Sequence, residues 1–457
     1  MNTLIAITGL GILCLVFEIF NLRKAIVPFT ILGLLGVLGL TIADYNVAGS
    51  FYHNMIAVDN FSVSFSSLFI ILTIFLVALS HDFYEDHPTR LSDYIAIKIF
   101  LLAGAVAMVT FGNLSMFFLG IEVLSISLYI LAASNRLNIK SNEAGMKYFL
   151  MGSFASGIIL FGICLIYGAM GTFDVNDISA LTHSAELPEA WFFSGVALVI
   201  IGMLFKVAAV PFHFWAPDVY EGSPILTTAL MSTLTKVVAM ATLYKLIVSM
   251  NVPFSYSFEM IIAVVSVASM TVGNIMALRQ DNVKRMLAFS GISHAGFMLM
   301  TLLSVTLSAG TLLYYAAAYA LSGIAAFTVI LYVCKNRENE SASHFNGLGK
   351  TNPLMAAIMT GALLSMAGIP IFAGFLAKFM LFSQSIQSGY IAVVIFAVVN
   401  SIISVGYYFK LILAMYTKEA TEERQVVPFV FHAVAIVSIV LNILIGLFPS
   451  TVMDLVL

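Results

Sequence analysis

Charge is scarce in this chain. Asp, Glu, Lys and Arg make up 9% of its 457 residues, and the formal net charge is −3. No basic cluster stands ready for a phosphate backbone, so nucleic acid is excluded as a partner. The three cysteines, Cys14, Cys164 and Cys334, lie far apart in apolar stretches. That spacing offers neither a disulfide framework nor a metal set, and they read as small buried hydrophobes. There is no phosphate-cradling glycine loop, no Cys/His cluster and no nucleophile elbow. No histidine pair stands at the helical spacing a haem would need. Covalent chemistry is therefore not expected of this chain alone, and neither a cofactor nor a metal is expected to bind it. The N-terminus lacks a basic region and a convincing cleavage site. It reads as a first membrane span rather than a removed signal peptide.

What fills the chain is apolar sequence. Hydrophobic residues account for 61%, and mean hydropathy is +1.03. A bilayer-spanning helix needs about 20 residues. About fourteen candidate spans follow, near 3–21, 25–43, 61–81, 95–111, 114–133, 145–169, 190–217, 225–249, 257–277, 285–304, 310–334, 353–386, 390–416 and 428–449. Only helices or closed barrels satisfy the backbone in lipid. The runs are long and lack strict alternation, so they read as helices. The expectation is an all-α polytopic membrane protein, with the lipid bilayer as its solvent.

Basic residues divide cleanly between loops. The odd-numbered loops carry Arg23 and Lys24; Arg90; Arg136 and Lys140; Arg279, Lys284 and Arg285; Lys335, Arg337 and Lys350; and Lys418 and Arg424. The loop after the seventh span carries none. The even loops, 44–60, 112–113, 170–189, 250–256, 305–309 and 387–389, contain no lysine or arginine. Loop 170–189 is acidic instead, with Asp174, Asp177, Glu186 and Glu189. The positive-inside rule then puts the odd loops in the cytoplasm and both termini outside.

Two spans are overlong and broken by proline. Span seven holds Lys206 followed by Pro211 and Pro217, and span twelve holds Gly368-Ile-Pro370 followed by Lys378. They lie five spans apart. A five-helix unit, spans four to eight and nine to thirteen, would place its second copy upside down. The units are 1–94 with three helices, 95–250 as the first repeat, 251–417 as the inverted second and 418–457 with the last helix. Proline opens a helix by removing a hydrogen bond. The freed carbonyls can hold water or a cation where they line a cavity.

Ionisable residues inside membrane spans are costly, about 2.5–3.5 kcal/mol each on insertion scales, and point to function. Lys147, Lys206, Lys236 and Lys378 lie in or against apolar runs, and Glu122 is isolated in FFLGIEVLSISLYIL. A Glu122–Lys206 pair could switch protonation as the carboxylate moves. Lys236, midway along its span, is a natural next station, and Lys378 an exit. His294, beside Ser290 and Ser293, could relay protons between the halves or be a neutral core histidine. Lys147 lies near the cytoplasmic end of its span and could instead snorkel. Lys98, Lys245 and Lys410 sit near span ends, where snorkelling is expected. Lys284-Arg285 reads as a positive-inside anchor. His213, with Asp218 and Glu221 nearby, suits a hydration site or a loop anchor. Tyr129, Tyr148 and Tyr244 read as packed core.

Three segments carry a family resemblance: FKVAAVPFHFWAPDVYEGSP (205–224), NVKRMLAFSGISHAGF (282–297) and GIPIFAGFLAKF (368–379). They resemble the antiporter-like membrane subunits of respiratory complex I, NADH-quinone oxidoreductase, and in particular its subunit N branch. The likeness runs over nearly the whole chain. In that family a fifth-span glutamate pairs with a seventh-span lysine, and Glu122 and Lys206 match those positions. Lys236 matches the central lysine of the eighth span, and Lys378 the twelfth-span charge. The resemblance implies fourteen helices, two inverted repeats and a hydrophilic axis across the mid-membrane. It implies a place in the cell inner membrane beside sibling antiporter-like and small membrane subunits. NAD, FMN, iron–sulfur clusters and quinone would belong to other subunits. The function it implies is proton translocation coupled to quinone reduction elsewhere in the complex. A multi-subunit Na+/H+ antiporter and a proton-pumping membrane hydrogenase share these motifs and stay open as alternatives.

Overall fold

A computed structural model describes residues 2–20, 23–84, 91–182, 189–252, 256–305, 308–335, 337–420 and 426–456. Arg90, Glu186 and Arg424, used above for orientation, lie outside the described residues, as do the side chains of Arg23, Lys24 and Glu189. Among the described residues thirteen helices are long and apolar enough to cross a membrane. The twelfth span makes the fourteenth, because it is split into Pro353–Ala367 and Ala373–Gln387. Among the described residues the one pair of β-strands is an antiparallel hairpin in the first even loop, strands Gly49–Phe51 and Ile56–Val58. It is anchored by Ala57 N–H to Thr110 O.

The centre and the rim differ sharply. Spans eight (Ile225–Ser249), ten (Val283–Leu303) and eleven (Ala309–Val333) are 94%, 100% and 94% buried, against 28% and 33% for spans one and fourteen. The apolar residues of the rim face outward, including Cys164, which is exposed rather than buried as its sequence setting suggested. In lipid such a surface costs nothing, since no hydrophobic force separates helix from acyl chain.

The two five-helix units share their contacts. Leu91–Val109 packs on Leu114–Ala132 as Tyr256–Leu278 packs on Val283–Leu299. Glycines set both crossings: a Cβ on Gly104 or Gly120 would strike the facing backbone, and so would one on Gly273 or Gly296. Ile139–Met170 packs on Glu189–Val207 as Ala309–Val333 packs on the split span.

The two broken helices end alike. Ala208 N–H reaches Phe205 O at 3.0 Å and Ala209 N–H reaches Leu204 O at 2.9 Å. Gly368 N–H reaches Ser365 O at 3.0 Å and Ile369 N–H reaches Leu364 O at 3.0 Å. Both are Schellman terminations, with a left-handed residue at φ +62° for Ala208 and +87° for Gly368. Proline follows three or two residues later and prevents the helix from resuming at once. Five spans per unit is an odd number, so the two breaks enter the membrane from opposite sides.

Candidate functional site

Lys206 stands on the last turn before the first break, at the negative end of helix Glu189–Val207. Its ammonium donates to Ser125 Oγ at 2.8 Å and Ser156 Oγ at 3.3 Å. Glu122 lies one turn before Ser125 on span five, on the same face. Its Oε1 is buried and has no hydrogen-bond partner. No ion pair joins Glu122 to Lys206, whose ammonium meets the two serine hydroxyls instead. The buried Tyr129 hydroxyl faces Gly152, where any Cβ would collide with it.

Lys236 begins a regular helix after a π-helical turn, Met231–Thr235. It is 2% exposed, and its ammonium has no hydrogen-bond partner. The space for it is made by Gly291, where a Cβ would lie 2.7 Å from Lys236 Nζ and 3.0 Å from the Tyr319 hydroxyl. His294 is nearby, its ring centroid 4.8 Å from that of Tyr319. The ring is bonded on both sides, Nδ1 with the Tyr315 hydroxyl at 2.8 Å and Nε2 with the Tyr408 hydroxyl at 3.3 Å. Tyr408 bonds onward to Ser290 at 2.5 Å. A hydroxyl–imidazole chain thus extends from beside Lys236 to span thirteen.

Lys378 lies just after the second break. Its ammonium donates to Ala367 O at 2.9 Å, a carbonyl at the end of the first half-helix, and to Ser401 Oγ at 3.0 Å. Phe297 closes the site, its ring centroid 4.9 Å from the ammonium. The broken span therefore supplies a carbonyl ligand for the cation, as the sequence implied.

Lys147 stands apart. It is half-exposed, 2.7 Å from Glu143 and 3.3 Å from Asp218. Asp218 also meets Arg285 at 2.8 Å, and Arg285 meets Glu221 at 2.9 Å. Partial burial pushes the Asp218 carboxyl upward, but Arg285 and Lys147 outweigh it and hold the group below its ordinary value. Asp218 is therefore charged at neutral pH.

Several expectations need correction. Lys98 and Lys245 do not snorkel. Lys98 is 1% exposed and donates to Ser80 Oγ at 2.7 Å, while Lys245 meets Asp59 at 3.1 Å and Val109 O at 2.7 Å. Oxygen partners inside the bundle replace the water they would have sought. Lys284 is no surface anchor. It is buried, 2.8 Å from Glu340, and donates to Ser223 O at 2.9 Å. Lys410 does lie at the surface, 3.3 Å from Asp281. His213 is buried, with Nδ1 unpartnered. Sequence reasoning missed Ser125, Ser156, Tyr315, Tyr319, Tyr408 and Ser401. Tyr315 and Tyr319 had a usable signal, two phenols four residues apart on one helical face. The serines had none.

Comparison with known proteins fits this geometry. Residues 112–404 match the family described as NADH:quinone oxidoreductase/Mrp antiporter, TM. The NADH-quinone oxidoreductase subunit N of Flavobacterium johnsoniae is 72% identical, covering all of both chains. That of Cytophaga hutchinsonii is 43% identical over 100% of this chain and 99% of its own. A chain of respiratory complex I from Thermus thermophilus superposes with a TM-score of 0.86 at 28% identity, covering 99% of this chain and 98% of its own. The Mrp complex from Dietzia has a chain with the same fold, TM-score 0.88 at 22% identity, covering 99% of this chain and 95% of that one. The chain belongs to the NADH:quinone oxidoreductase/Mrp antiporter transmembrane family, on its complex I subunit N branch, and so to the membrane part of an oxidoreductase complex.

Proposed function

We propose that this chain carries protons across the membrane arm of NADH:quinone oxidoreductase, driven by quinone reduction in other subunits. The observation that carries the reading is the series of buried ammonium groups, Lys206, Lys236 and Lys378, set among hydroxyls and an open helix end, with His294 between the last two. Glu122 is the switch. Its unpartnered oxygen gives it reason to leave its resting place, and a rotation toward Lys206 would replace Ser125 as the acceptor. Charge arriving at Lys206 would hold its proton, and charge leaving would release it toward Lys236. Lys236 makes no hydrogen bond, so it is the station poised to change protonation at least structural cost. The chain Tyr319, His294, Tyr315 and Tyr408 carries the exchange toward Lys378. Lys147, in its exposed network, serves the cytoplasmic mouth.

Residues 95–250 and 251–417 act as the two inverted halves, behind an N-terminal unit 1–94 and a last helix in 418–457. Both termini face the outside of the cell inner membrane. The partners are sibling antiporter-like and small membrane subunits. NAD, FMN, iron–sulfur clusters and quinone sit in other subunits.

The test is Lys206→Ala in the purified complex reconstituted into liposomes. NADH-driven internal acidification should fall to a small fraction of the wild-type rate, with subunit content unchanged. Full pumping at normal assembly would remove Lys206 from the route.

A further inference from the structure

Between the two lysine sites of the first repeat lies a short helix, Trp215–Gly222, that touches both. At one end Trp215 Nε1 donates to Phe205 O at 3.0 Å. Phe205 immediately precedes Lys206, and the same carbonyl holds the Schellman turn that ends its helix. At the other end the Tyr220 hydroxyl donates to Met231 O at 3.0 Å, and Thr228 Oγ1 returns a bond to Tyr220 O at 2.8 Å. Met231 opens the π-helical turn that leads into Lys236. Trp215 and Tyr220 are both buried, and their rings meet edge to face at 6.2 Å. Tyr148 stacks on Trp215 at 4.7 Å. A shift at either end cannot be absorbed locally, because close-packed aromatic groups transmit displacement.

The helix is held from the other repeat. Arg285, at the start of span ten, grips Asp218 and Glu221. Its neighbour Lys284 donates to the carbonyl of Ser223, the residue whose N–H caps the helix at Val219 O, and Glu340 holds Lys284 in turn. Span ten also carries His294. One rigid piece thus joins the end of Lys206's helix, the bulge beside Lys236 and the root of the His294 helix.

The π turn is the natural two-state element. A π turn accommodates one residue more than an α turn, and such turns often mark functional sites. Met231 O accepts from Thr235 Oγ1 of its own turn at 2.8 Å and from the Tyr220 hydroxyl at 3.0 Å, and the second bond reaches the bulge from outside its own helix.

We infer that helix Trp215–Gly222 is a coupling lever: Trp215 and Tyr220 are positioning residues that transmit movement between the Lys206 and Lys236 sites, and Arg285 anchors the lever to the second repeat. This rests on the reading of those two lysines as proton stations. Tyr220→Phe removes one oxygen from a buried ring and leaves its aromatic contacts. In the reconstituted complex, this variant should assemble normally. Its NADH-driven proton uptake should fall roughly three- to tenfold, the population shift that one lost hydrogen bond brings to a two-state element. The pH profile of pumping should also move, which a purely structural role would not produce. Arg285→Gln, at the half-exposed end of the lever, should behave alike, and Arg285→Lys should recover part of the loss. Wild-type uptake and an unmoved pH profile in both Tyr220→Phe and Arg285→Gln would overturn the lever. Lys206→Ala and Lys236→Ala, measured alongside, separate the two ideas. If they lose pumping while Tyr220→Phe keeps it, the lever alone fails. If they pump normally, the proton reading fails and the lever with it.

Discussion

An ammonium inside a bilayer must find oxygen ligands or give up its proton. The three axial lysines meet this demand unequally. Lys206 has two serine hydroxyls, Lys378 a carbonyl and a hydroxyl, and Lys236 no hydrogen-bond partner. Gly291 makes the space for the last of these. Gly291→Ala would bring a methyl to 2.7 Å from the Lys236 ammonium, and that flexible side chain can yield. The fold should therefore survive and the function should not. Subunit content should stay normal while NADH-driven pumping drops severalfold, and normal pumping would show that the exact place of this ammonium is immaterial. The positions of the lysines were legible in the sequence, because lysine in an apolar run is rare and conspicuous. Their serine partners were not. Buried hydroxyls in these helices mostly return to a carbonyl four residues back, as Thr73, Thr242 and Ser438 do, so nothing marks Ser125 or Ser156 as different. The same blindness applies to Lys98, Lys245 and Lys284, whose burial depends on Ser80, Asp59 and Glu340 arriving from distant segments.

Among the elements, the two broken helices carry most of the mechanism's geometry. Proline and glycine announced both breaks, and the structure adds that they share one termination motif. The restart of the second is tight: a Cβ on Gly374 would collide with the Ser365 carbonyl across the gap. Backbone cannot yield as a side chain can. Gly374→Ala should therefore destabilise the chain by about 1–3 kcal/mol, the usual range for overpacking. The check is the thermal midpoint and subunit content of the purified complex, and an unchanged midpoint would mean that the break relaxes freely. The π turn before Lys236 was invisible in TALMSTLTKVV, which holds neither proline nor glycine. The contact that singles it out is tertiary, the Tyr220 hydroxyl bonding to Met231 O from another helix. The hairpin at Gly49–Phe51 and Ile56–Val58 was hidden too, because three-residue strands leave no alternation to read.

Across the whole molecule, the most buried spans are those that carry or surround Lys236 and His294, and the rim is left apolar for lipid and neighbouring chains. Fourteen runs of hydropathy, divided by loops of alternating charge, gave this architecture without any structure. Contacts across the two repeats required coordinates, because Arg285 and Asp218 are 67 residues apart. The central claim is that the buried axis moves protons rather than merely holding charges. The most direct measurement is the number of protons translocated per NADH oxidised, in liposomes containing the complex with Lys206, Lys236 and Lys378 all changed to alanine. Fewer protons per NADH than wild type, in a fully assembled complex, is the predicted result. An unchanged ratio would contradict the account and leave the three lysines as static charges.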